Sequence, residues 1–126
     1  MIIGNGIDIV EKSRINRVMD NYGQRFVNKI LSQTELKQYQ DVSDKKSFIA
    51  KRFAAKEAFV KALGTGFTRG LTFCDITITN DQSGKPSVEI NDKILSLLSD
   101  HPDISCHLSI SDERHYACAF VILERC

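Results

Sequence analysis

Two acidic residues occupy positions that their surroundings reserve for apolar ones. Asp8 lies inside Ile7-Asp8-Ile9-Val10, and Glu57 inside Phe53-Ala54-Ala55-Lys56-Glu57-Ala58-Phe59-Val60-Lys61. A carboxylate among such neighbours is costly unless a cation or hydrogen-bond donors meet it. A hard divalent cation reconciles two of them: Mg²⁺ typically takes one or two carboxylates and completes its shell with waters and substrate phosphates. The plainer alternative has Asp8 capping a turn and Glu57 pairing with Lys61 on a solvated helix face. Lys61 follows Glu57 by one helical turn, so their Cβ atoms stand about 6 Å apart. A carboxylate-held metal beside an ammonium is the electrostatic arrangement of phosphoryl chemistry. As an ordinary surface ion pair the same residues contribute little. Gly64-Thr65-Gly66 follows directly. Such a loop can bring backbone N–H groups close to a phosphate, yet it is no Walker or dinucleotide motif, and taken alone it is a helix stop.

The residues that do not form a site also inform. There is no G-x-S-x-G element, and the cysteines and histidines suggest no nucleophile–base pair. His101, His107 and His115 read as structural or exposed. An enzyme built from this chain would therefore receive its nucleophile from a substrate. The four cysteines, Cys74, Cys106, Cys118 and Cys126, form no C-x-x-C pair and have no zinc spacing. Free thiols in a reducing, cytoplasmic setting are the expectation.

These side chains need elements to hold them. Residues 1–10, rich in Ile and Val, predict a buried strand, with Gly4 and Gly6 marking a bulge or a close backbone approach. Ser13 can cap a helix to about Asn21 with Ile15, Val18, Met19 and Tyr22 as its apolar stripe. Gly23 ends it, and a short helical piece follows around Phe26 to Leu31. Ser32-Gln33-Thr34-Glu35 is a capping box that starts another short helix, with Leu36 and Tyr39 inward. Lys46 to Leu63 is rich in Ala and Lys, contains no Gly or Pro, and stops at Gly64, which predicts the longest helix. Alternation over Thr72 to Thr79 predicts a half-buried strand, paired through the turn at Asn80 to Gly84 with Ser87 to Ile90. Asn91 caps a short helix that buries Ile94, Leu95, Leu97 and Leu98. Residues 104–111 and 116–123 form a second hairpin. The class is α+β, a mainly antiparallel sheet packed against a long central helix and short helices.

Length and composition agree with this. The 126 residues are 42% hydrophobic and 26% charged, which fits a single domain spanning 1–126 and excludes disordered and fibrous classes. No apolar run approaches 18 residues, so no membrane-spanning helix is expected, and the first residues lack signal-peptide features. The formal charge of +1 argues against a general nucleic-acid binder. Its distribution is uneven. Residues 11–61 carry twelve basic and six acidic side chains, a balance of +6, whereas residues 62–126 carry five and nine, a balance of −4. A basic N-terminal half suits an acidic ligand or protein. A non-catalytic module binding an acidic protein or RNA is the alternative to an enzyme, but it has no use for withdrawn carboxylates at Asp8 and Glu57.

Together the motifs resemble a known family. Gly6-Ile7-Asp8-Ile9-Val10 with Arg14-Ile15 resembles the N-terminal G-x-D-I-x-x-x-x-R-I signature of the 4′-phosphopantetheinyl transferases. Phe53-Ala54-Ala55-Lys56-Glu57-Ala58-Phe59-Val60-Lys61-Ala62 resembles their second signature, F-x-x-K-E-A-x-x-K-A. Gly64-Thr65-Gly66, Gly84-Lys85-Pro86 and Ser109 to Ala117 resemble the small bacterial members, and the match runs over essentially the whole chain.

The resemblance implies the phosphopantetheinyl transferase fold and a Mg²⁺-dependent reaction of fatty acid biosynthesis. The family moves the 4′-phosphopantetheine arm of coenzyme A onto a serine of apo-acyl carrier protein, releasing adenosine 3′,5′-bisphosphate. It implies Asp8 and Glu57 as metal ligands, Lys61 as the group stabilising charge on the β-phosphate, and Glu57 as a help in deprotonating the serine. Arg52, Lys56, Gly64, Gly66, Lys85 and Pro86 would lie near the pyrophosphate and adenosine. Arg14, Arg17 and Arg25 would dock the acidic carrier protein. Homotrimers with active sites between subunits are implied as well. Many relatives have a His after the final Ser-x-Ser that contacts the coenzyme; this chain has Asp112, a variant of the site.

Overall fold

The computed structural model describes residues 1–101 and 103–126. Strand β1 (Ile2–Glu11) leads into helices α1 (Lys12–Tyr22), α2 (Gln24–Ile30), α3 (Gln33–Asp41) and the long α4 (Lys45–Leu63). A 3₁₀ turn at Phe73–Asp75, strands β2 (Ile78–Asn80) and β3 (Pro86–Val88), helix α5 (Asp92–Leu97), and strands β4 (Ile104–Asp112) and β5 (Tyr116–Arg125) complete the chain. Strands β1, β5 and β4 form an antiparallel sheet in that order, and β2 pairs with β3. The sheet lies against α4, whose Ile49, Ala50, Ala54, Ala55, Ala58 and Phe59 are fully buried.

The joint between β1 and α4 is set by small residues. A Cβ at Gly4 or Gly6 would collide with the carbonyl oxygens of Ala62 and Ala58, respectively. Two strand residues advance about 6.7 Å and four helical residues about 6 Å, so alternate β1 positions keep step with every fourth residue of α4. Strand and helix backbones therefore touch along Gly4/Ala62 and Gly6/Ala58. Asp8 is the next residue on that same strand face, which is how a carboxylate comes to lie against the helix. The glycines thus mark a close backbone approach, and the register also shifts between Ile2 and Gly4.

Helix ends follow local chemistry. Asp44 caps α4 by accepting from Ser47 N at 3.1 Å, and Gly64 closes it in the left-handed region at φ 79°. Ser32 and Glu35 form the reciprocal capping box of α3. Asn91 caps α5 through Ile94 N at 3.0 Å.

Several sequence expectations are corrected. Strand β1 is buried on one face only: beyond the irregularity at Ile2/Gly4 the odd positions point away from α4, leaving Ile7 and Ile9 59% and 65% exposed, and Ile2, before it, is 59% exposed. Residues 72–79 are not one strand. Asp75 accepts from both Thr72 N and Thr72 Oγ1, which curls the chain into the 3₁₀ turn and leaves only Ile78–Asn80 extended. Helix α1 starts at Lys12 without a side-chain cap, since the Ser13 hydroxyl bonds Glu11 Oε1 instead. Tyr22 and Leu95 are exposed rather than part of their helices' buried stripes.

Candidate active site

Asp8, Glu57 and Lys61 meet in one open cleft of about 390 Å³, lined also by Ile9, Val10, Arg14, Ile15, Val18, Phe26 and Phe53. On α4, Phe53, Glu57 and Lys61 recur at four-residue intervals and form one stripe beside the alanines that touch β1. Lys61 Nζ donates to the Ile7 carbonyl at 2.9 Å and to Asp8 Oδ1 at 3.2 Å. Burial, then the neighbouring charge of Asp8, push the Glu57 carboxyl above its ordinary range, while Lys61 pulls the other way. Two carboxylates that repel one another beside a single ammonium make a place where more positive charge is favourable.

Arg52 and Lys56 lie elsewhere on the helix. Arg52 is 7% exposed at the floor of a second cleft of about 480 Å³, lined by Gln38, Val42, Phe48, Lys51, Asn80, Gly84, Pro86, Ile110 and Asp112. Among the described residues none lines both clefts. Lys56 corrects the sequence expectation. It is fully buried, and its three N–H donors go to Ile30 O at 2.6 Å, Glu35 Oε1 at 2.5 Å and Phe73 O at 3.0 Å. It ties α2, α3 and the 3₁₀ turn to α4 and has no donor left for a ligand. Burial lowers the pKa of its ammonium, and Glu35 works against that.

Glu35 is the residue that sequence reasoning missed. Recognised only as half of a capping box, it is 0% exposed and accepts from Ser32 N, Lys56 Nζ, Ile78 N and Arg52 Nη1. A buried charge so fully bonded fixes geometry more than it adds stability. The available signal was two basic residues, Arg52 and Lys56, one turn apart in an apolar helix and needing a buried anion.

The remaining candidates are exposed apart from Pro86. Gly64 and Gly66 have φ of 79° and 64° in the loop leaving α4. Lys85 is exposed in the β2–β3 turn, its backbone N–H donating to Asp81 Oδ1 at 2.9 Å, with Pro86 half-buried beside it. Arg14 lines the Asp8 cleft. Arg25 lines a contiguous groove of about 350 Å³ with Val18, Tyr22, Phe26 and Lys29, and Arg17 is exposed on the same helix as Arg14. The carboxylate pair thus opens beside a basic, partly apolar helical surface.

Comparison with known proteins decides the family. The model of the 4′-phosphopantetheinyl transferase superfamily matches residues 4–121. The chain belongs to that superfamily. Holo-[acyl-carrier-protein] synthases of Aliivibrio fischeri and Vibrio cholerae are 50% and 48% identical over 98% and 99% of both chains. The crystal structure of the Neisseria meningitidis holo-[acyl-carrier-protein] synthase superposes with a TM-score of 0.92 at 40% identity, covering 99% of this chain and 100% of the other. The Helicobacter pylori synthase, solved in complex with coenzyme A, gives 0.82 at 32% identity over 95% and 99%. Within this phosphopantetheinyl transferase the two signatures are the two sides of one joint, β1 supplying Asp8 and α4 supplying Glu57 and Lys61. The donor set suits Mg²⁺: two carboxylates, the Glu57 one raised in pKa by burial and then by Asp8, supply hard oxygen ligands and leave most of the shell to other oxygens. Among the described residues no helix is long and apolar enough to cross a membrane.

Proposed function

We propose that this phosphopantetheinyl transferase moves the 4′-phosphopantetheine arm of coenzyme A onto a serine of apo-acyl carrier protein. The observation that carries the reading is the convergence of Asp8, Glu57 and Lys61 in a cleft bordered by Arg14 and the basic face of α1. The serine oxygen forms a bond to the β-phosphorus, and the bond from that phosphorus to the bridging oxygen breaks. Adenosine 3′,5′-bisphosphate leaves with the bonding pair, and the serine proton passes to Glu57. Lys61, already directed at Asp8 and the Ile7 carbonyl, lies where its charge can stabilise a phosphoryl oxygen. Asp8 and Glu57 would hold Mg²⁺, which when bound neutralises diphosphate charge.

Arg14, Arg17 and Arg25 dock the acidic carrier protein, and Val18, Tyr22 and Phe26 give it an apolar seat. Arg52, Gly64, Gly66, Lys85 and Pro86 receive the phosphate-rich, adenosine end of coenzyme A. Among the described residues the two clefts of one chain share none, which favours a homotrimer that completes each active site between subunits. The exposed Ile2, Ile7, Ile9, Tyr116 and Phe120 on the outer sheet supply an apolar surface for that assembly. The enzyme is cytoplasmic.

The test is mass spectrometry of apo-acyl carrier protein after incubation with the chain, coenzyme A and Mg²⁺. A phosphopantetheine increment on one serine is expected, lost with Glu57→Ala or Asp8→Ala at preserved circular dichroism and lost with excess chelator. Full modification in the presence of chelator would refute the metal role, and no modification by the unaltered chain would refute the reading.

A further inference from the structure

Asp112, the last residue of β4, is tied into the protein on one oxygen. Its Oδ2 accepts from Lys12 Nζ at 2.8 Å and from Ser47 Oγ at 3.3 Å. The Lys12 side chain is only 16% exposed, and Asp112 is its one charged partner among the described residues. Three elements meet there: the last residue of β4, the first residue of α1 and the first turn of α4. The 480 Å³ cleft is walled by the same parts, with Phe48, Lys51 and Arg52 from α4 facing Ile110 and Asp112 from β4. Ser47 stands one turn before Lys51 on α4, so a tie at Ser47 fixes the end of the helix that carries the cationic wall.

We propose that Asp112 is a positioning residue for the known reaction: with Lys12 and Ser47 it clasps α4 to β4, sets the width of this cleft, and takes no proton from the serine. The inference rests on the proposed use of the cleft by the phosphorylated end of coenzyme A. The hydrogen bond from Lys12 holds the Asp112 carboxyl below the usual carboxylate range, with burial opposing and Lys51 adding to the effect. Such a carboxylate is a weak base at neutral pH.

A clasp and a simple charge make opposite demands on mutants. If each group acted on a polyanionic ligand only through its charge, Asp112→Asn would tighten binding and Lys12→Met would weaken it. A clasp fails alike whichever half is removed. The experiment measures kcat, KM for coenzyme A and the pH profile of kcat for the unaltered enzyme, Asp112→Asn, Lys12→Met and the double variant, using apo-acyl carrier protein. Each single variant is expected to raise KM about tenfold, to change kcat less than threefold and to leave the pH profile in place, with the double variant no worse than either single one. Opposite shifts in KM would overturn the proposal, and so would a KM within twofold of the unaltered enzyme. A hundredfold fall in kcat with loss of one limb of the pH profile would make Asp112 the base and overturn it as well. Ser47→Ala, which keeps the ion pair, should raise KM two- to threefold and serves if a charge variant fails to fold; an unchanged KM there refutes the clasp. Absence of transfer by the unaltered chain would instead refute the proposed function.

Discussion

Replacing Gly6 by Ala tests the joint on which the site depends. The added Cβ would lie 2.8 Å from Ala62 N and 3.0 Å from Ala58 C, with the Ala58 carbonyl oxygen closer still. Ordinary contact begins near 3.4 Å. Strand β1 must therefore withdraw from α4 by at least about 0.6 Å against Ala62 N, and further against the Ala58 oxygen, because both obstacles are helix backbone and cannot rotate aside. Overpacking of this kind costs about 1–3 kcal/mol, a fall in Tm on the order of 10 °C for a chain of this size. The functional consequence comes two residues along. Asp8 travels with the strand, and the 3.2 Å bond from Lys61 Nζ to its Oδ1 has little length to spare. Geometry lost at this scale reduces transfer by about a hundredfold. Differential scanning calorimetry gives the first quantity. Turnover with apo-acyl carrier protein at a temperature where the variant is folded gives the second. A Gly6→Ala protein that melts within 2 °C of the parent and transfers at the parental rate would refute the account of how Asp8 reaches Glu57.

Glu57→Gln should abolish transfer yet raise Tm in chelator-containing buffer at pH 7–8, since a carboxyl with a raised folded pKa costs stability once ionised; a lower Tm would contradict the electrostatic reading of the site. Asp75 behaves oppositely. Burial raises its carboxyl, but Lys93 at 2.7 Å and the Thr72 donors prevail and hold it below its ordinary pKa, so it stabilises the fold above the unfolded carboxylate range and loses that effect as pH falls through its folded value. Asp75→Asn should therefore lower Tm at pH 7, with the gap closing as pH falls through the folded pKa of Asp75; a gap that persists once the carboxyl is protonated would argue for lost packing instead. Ile9→Glu, on the open sheet face, should give a folded monomer by light scattering with little transfer activity. A monomer at full activity would show that each active site lies within one chain.

The elements that hold the site were legible because each had a local cause. The reciprocal pair Ser32 and Glu35, the cap at Asn91 and the stop at Gly64 all appear as residue types at fixed spacing. The strand expected over 72–79 failed because alternation carries no information about a side chain reaching back three residues, as Asp75 does to Thr72. The exposure of Ile7 and Ile9 was hidden for another reason. An apolar residue on an outer sheet face is written with the same letters as one in the core, and only the topology β1-β5-β4, with α4 on a single side, separates them.

Lys56 and Glu57 show why a motif can point to a site and still misassign one of its residues. They are adjacent in the sequence, yet each helical residue turns about 100° from the last. Measured from Ala58, which touches β1 at Gly6, Glu57 lies about 100° and Lys61 about 60° to one side, whereas Lys56 lies about 200° away, behind the helix. Arg52 falls on the other flank, about 140° from Glu57, and so reaches the second cleft. The assignment needs one further datum, the stripe of α4 that faces β1. That datum was present in the letters as well: Gly4 and Gly6 share a strand face with Asp8, and Ala54, Ala58 and Ala62 share a helix face. Meshing the two small-residue stripes puts Asp8 beside Glu57 and Lys61 and sends Lys56 inward to a buried anion. The same glycines that permit the approach thus determine which charged residues of α4 are left to meet a ligand.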